Sequence, residues 1–236
     1  MTLRFRPANT RGKTQLDWLT SYHTFSFADY QDSSWVRFHT LRVINDDIVA
    51  PSGGFATHGH QDMEILTYVL SGALEHKDSL GNGSVIRPGE IQHMSAGSGI
   101  RHSEFNPSNK DPVHLLQIWV FPSKKNLTPR YQQVTIPIDG MQNQWQCIAA
   151  PETGEHHIQI HQDAYIYVTK LQAGSTLNFE VTPGRGQWLH VAKGRCSLLA
   201  SETMALQAGD GLGIENESRF SVQTSENTEI LLFDLA

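Results

Sequence analysis

His58-Gly59-His60-Gln61-Asp62-Met63-Glu64-Ile65-Leu66-Thr67-Tyr68-Val69-Leu70-Ser71-Gly72 is the stretch on which the reading of the chain turns. Residues 65–70 are rich in β-formers, and Ser71-Gly72 closes them with a turn. Residues 73–77 make a short return strand, and residues 78–83 are a hairpin loop ending in Gly81-Asn82-Gly83. Val85-Ile86-Arg87 leads into the tight turn Pro88-Gly89-Glu90. The small, flexible run Ser95-Ala96-Gly97-Ser98-Gly99 delivers Ile100-Arg101-His102, and residues 114–121 form an apolar strand closed by Pro122. Strands this short, turned this often and without a helical period, predict an all-β protein built as an antiparallel barrel or a sandwich.

The punctuation then repeats. Residues 123–140 carry Lys124-Lys125, Pro129, Pro137 and Asp139-Gly140, and read as the handover between two domains, 1–132 and 133–236. Beyond it, Tyr165-Ile166-Tyr167-Val168 and Thr176-Leu177-Asn178-Phe179 look like strands. His190-Val191-Ala192-Lys193-Gly194 echoes Tyr68-Val69-Leu70-Ser71-Gly72, and Ala208-Gly209-Asp210 echoes Pro88-Gly89-Glu90. Aligned on these turns, Glu180 and Thr182 stand against His58 and His60, and Val222 and Thr224 against His102 and Glu104. The second domain is therefore expected to be a barrel without metal ligands. Ahead of the first repeat, Trp18, Tyr22, His23, Phe25, Phe27 and Tyr30 form an aromatic segment expected to pack over the barrel, with paving of a ligand pocket as the alternative. Arg42-Val43-Ile44-Asn45, Asp46-Asp47 and Ile48-Val49-Ala50 read as strand, acidic turn, strand.

Composition sets the outer bounds. The 236 residues carry a formal net charge of −6 and no strong Lys/Arg run, which excludes a direct nucleic-acid partner. Cys147 and Cys196 lie far apart without a CxxC, so they read as buried thiols in a reducing compartment. Residues 1–6 have no apolar leader character, and no apolar run approaches membrane-spanning length. A soluble cytoplasmic monomer with no membrane partner is the expectation.

The chemistry gathers at the histidines. In an extended chain, side chains two positions apart share a face, so His58 and His60 point the same way. His102-Ser103-Glu104 repeats that spacing. If the two segments face each other inside a barrel, three imidazoles and one carboxylate converge as a ligand set for one divalent transition metal. An HxH pair by itself would be half-exposed strand decoration; the downstream HxE is what favours ligation. Neutral imidazole nitrogen and carboxylate oxygen suit Fe, Mn, Ni, Cu, Co or Zn, and four protein ligands would leave two open positions on an octahedral ion. Glu64 is a rival carboxylate on the same face, but it lies about 13 Å of strand beyond His60. It is expected as a hydrogen-bonding residue behind the ligands or on the surface. His23, His76, His93 and His114 read as ordinary satisfied or exposed histidines, and His156, His157 and His161 as solvated. No Ser-His-Asp or Cys-His arrangement and no Gly-rich nucleotide loop can be argued.

The run from His58 to Tyr68 resembles the first cupin motif. Pro88-Gly89-Glu90, followed by Met94-Ser95-Ala96-Gly97-Ser98-Gly99-Ile100-Arg101-His102-Ser103-Glu104, resembles the second in the form found in pirins. Arg42-Val43-Ile44-Asn45-Asp46-Asp47, Leu116-Gln117-Ile118-Trp119-Val120 and Thr128-Pro129-Arg130-Tyr131 add to that likeness. The resemblance implies a bicupin of two antiparallel jelly-roll barrels with one metal, usually Fe(II), in the N-terminal barrel on His58, His60, His102 and Glu104. It also implies quercetin 2,3-dioxygenase-type activity on a flavonol or enediol-like substrate with O₂, with Glu104 as the ligand able to take the substrate's proton. The alternative of a different class is a metal-containing regulatory or redox-sensing protein with a protein partner. His93 stands where the family more often has an apolar or aromatic residue, a change expected to alter polarity near the site.

Overall fold

The computed structural model describes residues 2–236. The chain folds into two compact units: residues 12–135 with 151–162, and residues 2–11 with 136–150 and 163–236. The main change of unit falls at 135/136, and each unit also takes in a segment from the far side of that boundary.

The first unit is built from two antiparallel sheets. One runs Arg130–Thr135, Glu90–Ser95, Glu64–Ser71, Val113–Val120, Leu41–Val49, Leu19–His23, Gly12–Gln15. The other runs Gly54–His60, Ile100–Phe105, Leu74–Asp78, Gly83–Ile86. Glu64–Ser71 lies inside the larger sheet and is buried along its length up to Ser71, which suits a run dominated by Ile, Leu, Tyr and Val. Gly72, at φ +79°, makes the turn that its Ser71-Gly72 sequence predicts. Gly54 serves differently: a Cβ there would lie 2.4 Å from the Glu104 carbonyl oxygen. Only glycine lets strand Gly54–His60 approach strand Ile100–Phe105 so closely.

Two expectations change here. Asp46-Asp47 is no turn; it lies within the single strand Leu41–Val49. Asp46 is tolerated because His114 Nε2 donates to its carboxylate at 2.6 Å, while Asp47 turns inward and is buried. The aromatic segment splits: Phe25 is core at 1% exposure, whereas Trp18 and Phe27 line a cavity. The paving alternative therefore holds for those two and for His23.

Residues 151–162 join the first unit through polar contacts. Arg130 donates to the Gln159 carbonyl at 2.7 Å and Ser123 N–H to the His161 carbonyl at 2.6 Å. The His161 N–H donates to the Glu64 carboxylate at 3.1 Å. His161 is thus half-buried and engaged rather than solvated.

The second unit repeats the plan. Its larger sheet includes the order Thr2–Arg6, Gly211–Glu215, Gly186–Lys193, Thr228–Leu235, Ala164–Leu171, Gln146–Ala150. Its smaller sheet runs Thr176–Glu180, Arg219–Gln223, Arg195–Leu199, Thr203–Gln207. Strand Thr2–Arg6 fills the place that Arg130–Thr135 fills in the first unit. The repeat also fixes the register between the two barrels. Glu104 pairs with His76 four residues after Gly72, and Val222 pairs with Leu198 four residues after Gly194. Val222 therefore stands where Glu104 stands, and Phe220 where His102 stands, two residues from the alignment made on the turns. The chain from Gly209 to its inward strand is two residues shorter than the chain from Gly89. Phe220 and Val222 are packed in an apolar cluster with Leu189, Leu198 and Leu232. Cys196 is buried and Cys147 half-buried, neither in a disulfide. No helix among the described residues is long and apolar enough to cross a membrane.

Glu64 is the polar knot of the first unit. Its carboxylate, fully buried, accepts from His93 Nε2 at 2.9 Å, from Ser95 Oγ at 2.6 Å and from the His161 N–H. Burial alone would raise its pKa, but the His93 hydrogen bond and charge, then Ser95 and the His161 N–H, outweigh burial and bring it down from 4.5 to about 2. A depressed carboxyl pKa contributes stability above its unfolded value and loses it as pH falls through the folded value. We expect Glu64→Ala to destabilise the protein by roughly 3 kcal/mol at neutral pH, by leaving His93, Ser95 and His161 N–H unpaired. The gap to the parent should narrow as pH falls from 4.5 to about 2, measured by denaturant unfolding across that range.

Candidate metal centre

The register of two strands builds the site. Within Gly54–His60, His58 and His60 share a face; across the pair, His102 faces His58 and Ile100 faces His60. The three rings therefore meet, with centroids 4.7 Å apart for His58 and His60, 4.5 Å for His58 and His102, and 4.9 Å for His60 and His102. Each offers one ring nitrogen within 4.8 Å of the others. His58 Nδ1 donates to the Ala56 carbonyl at 2.8 Å, which leaves its Nε2 lone pair facing inward. That Nε2 lies 3.1 Å from His102 Nε2.

Electrostatics favours neutral rings. Burial, then the neighbouring His58, His60 and His76, lowers His102 to about 2. Burial and His58 lower His60 to about 4. Two inward lone pairs 3.1 Å apart repel unless a proton or a cation lies between them, and burial keeps His102 from supplying the proton. The donor set thus fits a divalent transition metal.

Glu104 follows a bulge after His102. It is 2% exposed and held by Gln117 Nε2 at 3.0 Å, with Thr67 Oγ1 at 3.4 Å. One of its oxygens lies within 4.8 Å of ring nitrogens of His102 and His76. His102 is therefore the member shared between the three-imidazole cluster and the carboxylate. Burial, then the nearby Asp47, raises Glu104 to about 7, against the hydrogen bonds from Thr67 and Gln117.

His76 is the neighbour that the sequence did not reveal. It is fully buried, directly across the strand pair from Glu104. Its Nδ1 is 3.5 Å from His102 Nδ1, and its Nε2 is 3.2 Å from Asp78 Oδ2. Asp78 can only accept, so His76 carries its proton on Nε2 and its Nδ1 accepts. His102 must then donate through Nδ1, which keeps its Nε2 lone pair free for a cation. Tyr131 stacks on His76, 4.9 Å between centroids, and holds the ring in place.

Above the imidazoles lies a cavity of about 420 Å³ walled by Trp18, Phe27, Phe55 and Trp119, with Asp47 and Glu104 among its polar groups. Trp119 meets His60 edge-on at 4.9 Å. Glu64 is not among the cavity residues; its carboxylate is used by His93, Ser95 and His161. Glu64 is thus a buried hydrogen-bonding residue rather than a surface one, and His93 is one of its donors. His23 does reach the cavity, bonded through Nδ1 to Asn45 Oδ1 at 2.8 Å. A strand-period reading of Leu74–Asp78 pairs His76 with Asp78 on one face, which is the one signal that could have marked His76 beforehand.

Fold and site together define a two-barrel cupin with a candidate metal centre in one barrel. The pirin family profile matches residues 4–120, and a profile described as the quercetinase C-terminal cupin domain matches residues 147–235. The protein named quercetin 2,3-dioxygenase from Escherichia coli (strain K12) is 43% identical over 98% of this chain and 97% of its own. The crystal structure of the bacterial pirin YhhW from Escherichia coli in complex with nickel(II) matches with a TM-score of 0.92 at 41% identity, over 99% of both chains. Quercetin 2,3-dioxygenase from Acinetobacter baumannii, at 22% identity and a TM-score of 0.78 over 99% of this chain and 85% of its own, shares the fold. The chain belongs to the pirin family.

Substituting His58, His60 or His102 with Ala should each remove most bound metal while leaving a folded barrel, read by elemental analysis and circular dichroism on protein purified without chelator. Stoichiometric metal in all three variants would dismiss the ligand set. His76→Ala should weaken metal affinity by roughly 10–100-fold without abolishing it, measured by competition with a chromogenic chelator.

Proposed function

We propose that this protein is a metal-dependent dioxygenase of the quercetin 2,3-dioxygenase type, cleaving a flavonol or enediol-like substrate with O₂. The observation that carries this reading is the placement of a buried carboxyl, Glu104, in an aromatic-walled cavity that also exposes three imidazoles. The name of its full-length Escherichia coli relative supports the same class.

Bound by His58, His60, His102 and Glu104, a divalent metal, Fe(II) by the family resemblance, would supply Lewis acidity and a redox partner for O₂ chemistry. The protein's own residues do the rest. Trp18, Phe27 and Phe55 offer flat apolar surface to an aromatic substrate and keep water from it. Gln117 and Thr67 fix the Glu104 carboxylate, so its free lone pairs face a defined direction. Glu104, buried in the cavity beside the imidazoles, is placed to take a flavonol 3-hydroxyl proton. The cysteines Cys147 and Cys196, neither in a disulfide, accord with a reducing compartment.

Oxygen uptake with quercetin tests the reading. Parent protein loaded with Fe(II) should consume O₂; Glu104→Gln reloaded with excess Fe(II) should still bind the flavonol but lose roughly 10²-fold or more in rate. Glutamine keeps the shape but cannot accept the proton. Uptake near the parent rate in that variant would dismiss Glu104 as the base. Metal-replete parent protein that consumes no O₂ with any flavonol would overturn the enzyme reading in favour of a metal-containing binding protein.

A further inference from the structure

The cavity contains a second carboxyl that metal binding and proton removal leave unused. Asp47 sits two residues after Asn45 on strand Leu41–Val49, so both side chains project from one face of the strand. Both line the cavity, and Asp47 is 2% exposed. It belongs to neither group of side chains able to hold a metal.

Its polar neighbours are engaged within the protein. Asn45 Oδ1 faces His23 Nδ1 at 2.8 Å, and His23 Nε2 meets Thr14 Oγ1 at 2.9 Å. Gln117 donates to Glu104 at 3.0 Å. Ser21, its cross-strand partner, gives Asp47 a hydrogen bond. Yet Asp47 Oδ1 has no hydrogen-bond partner among the described residues. A buried acceptor left unpaired costs stability, and an apolar residue of similar shape would avoid that cost. An aspartate there makes sense if something entering the cavity donates to it.

We propose that Asp47 is a recognition residue for a second hydroxyl of the substrate, distinct from the hydroxyl whose proton Glu104 takes. The inference rests on the flavonol-type reading above and deepens it. The ligand class that fits is a flat aromatic or enediol body with at least two hydroxyls. One is presented at the imidazole cluster, and the other donates to Asp47 Oδ1. The aromatic walls hold the flat body, and Asp47 sets its orientation and discriminates against analogues without the second hydroxyl. Burial raises Asp47 to about 7, opposed by Ser21 and helped by Asp46. Such a group suits a neutral hydroxyl, because its ionised form accepts from the hydroxyl and its acid form can donate to it.

The test compares two flavonols on metal-loaded protein without oxygen, by quenching of tryptophan fluorescence. Quercetin carries hydroxyls at both ends of the molecule; 3-hydroxyflavone carries only the 3-hydroxyl. Asp47→Leu, which matches the shape without the acceptor, should weaken quercetin binding about tenfold and change 3-hydroxyflavone binding less than about twofold, a difference of one hydrogen bond. Asp47→Asn serves if the leucine variant does not fold, with a smaller effect of the same pattern. Metal content should stay stoichiometric in both. Equal weakening of the two ligands, unchanged quercetin binding or loss of metal would overturn the assignment. Oxygen uptake by the parent is read separately. A parent that binds quercetin through Asp47 but consumes no O₂ keeps the recognition role and loses the dioxygenase reading. A parent that turns over both flavonols with no dependence of binding on Asp47 does the reverse. A parent that binds neither flavonol overturns both.

Discussion

Everything at the site depends on how closely strand Gly54–His60 lies against strand Ile100–Phe105. The register places His102 opposite His58, and the absence of a side chain at Gly54 allows the two backbones to meet beside Glu104. Because side chains alternate along a strand, a slip of one residue would turn His58 and His60 away from His102 together. The bulge after His102 then shifts the phase, so that Glu104 faces Thr67 and Gln117 while His102 keeps its place among the imidazoles. One close approach and one bulge thus fix four side chains.

Three carboxyls buried in the first unit are treated in opposite ways. Glu64 receives donors from His93, Ser95 and a backbone N–H, and stays ionised down to about 2. Glu104 and Asp47 are as deeply buried but receive fewer and weaker hydrogen bonds, and each is pushed up to about 7. The difference lies in the donors supplied, not in burial. A carboxylate with its lone pairs satisfied is a structural anchor, whereas one kept short of donors remains available to a proton, a cation or a hydroxyl. Within one barrel, the local count of donors separates framework from chemistry.

The sequence carried as much of this as its period could carry. Alternation along a strand makes HxH and HxE legible, and the glycine-bearing turns between apolar runs announce an antiparallel barrel. What it could not carry was decided by pairing across long separations. His76 looks ordinary until strand Leu74–Asp78 is laid beside Ile100–Phe105, and Glu64 looks like a spare ligand until His161 reaches it from 97 positions away. Asp46-Asp47 has the composition of a turn, and only the contact with His114 and the inward face of Leu41–Val49 explain two aspartates within a strand. Matching the barrels on their turns misses the register of the second by two residues, because the segment after Gly209 is shorter than its counterpart after Gly89.

Strand Thr2–Arg6 pairs with Gly211–Glu215, about two hundred residues further along the chain. During synthesis residues 2–6 leave the ribosome long before their partners in the sheet are made. The first unit, whose segments end at residue 162, can complete itself while the other still lacks most of its strands. Closing so long a loop costs chain entropy before any contact rewards it, and non-local pairing of this kind slows folding. Until then, residues 2–6 remain an extended segment with unpaired backbone groups, open to the wrong edge as well as the right one. The order of assembly is therefore written into the topology: one barrel early, the other only after its distant strands have emerged.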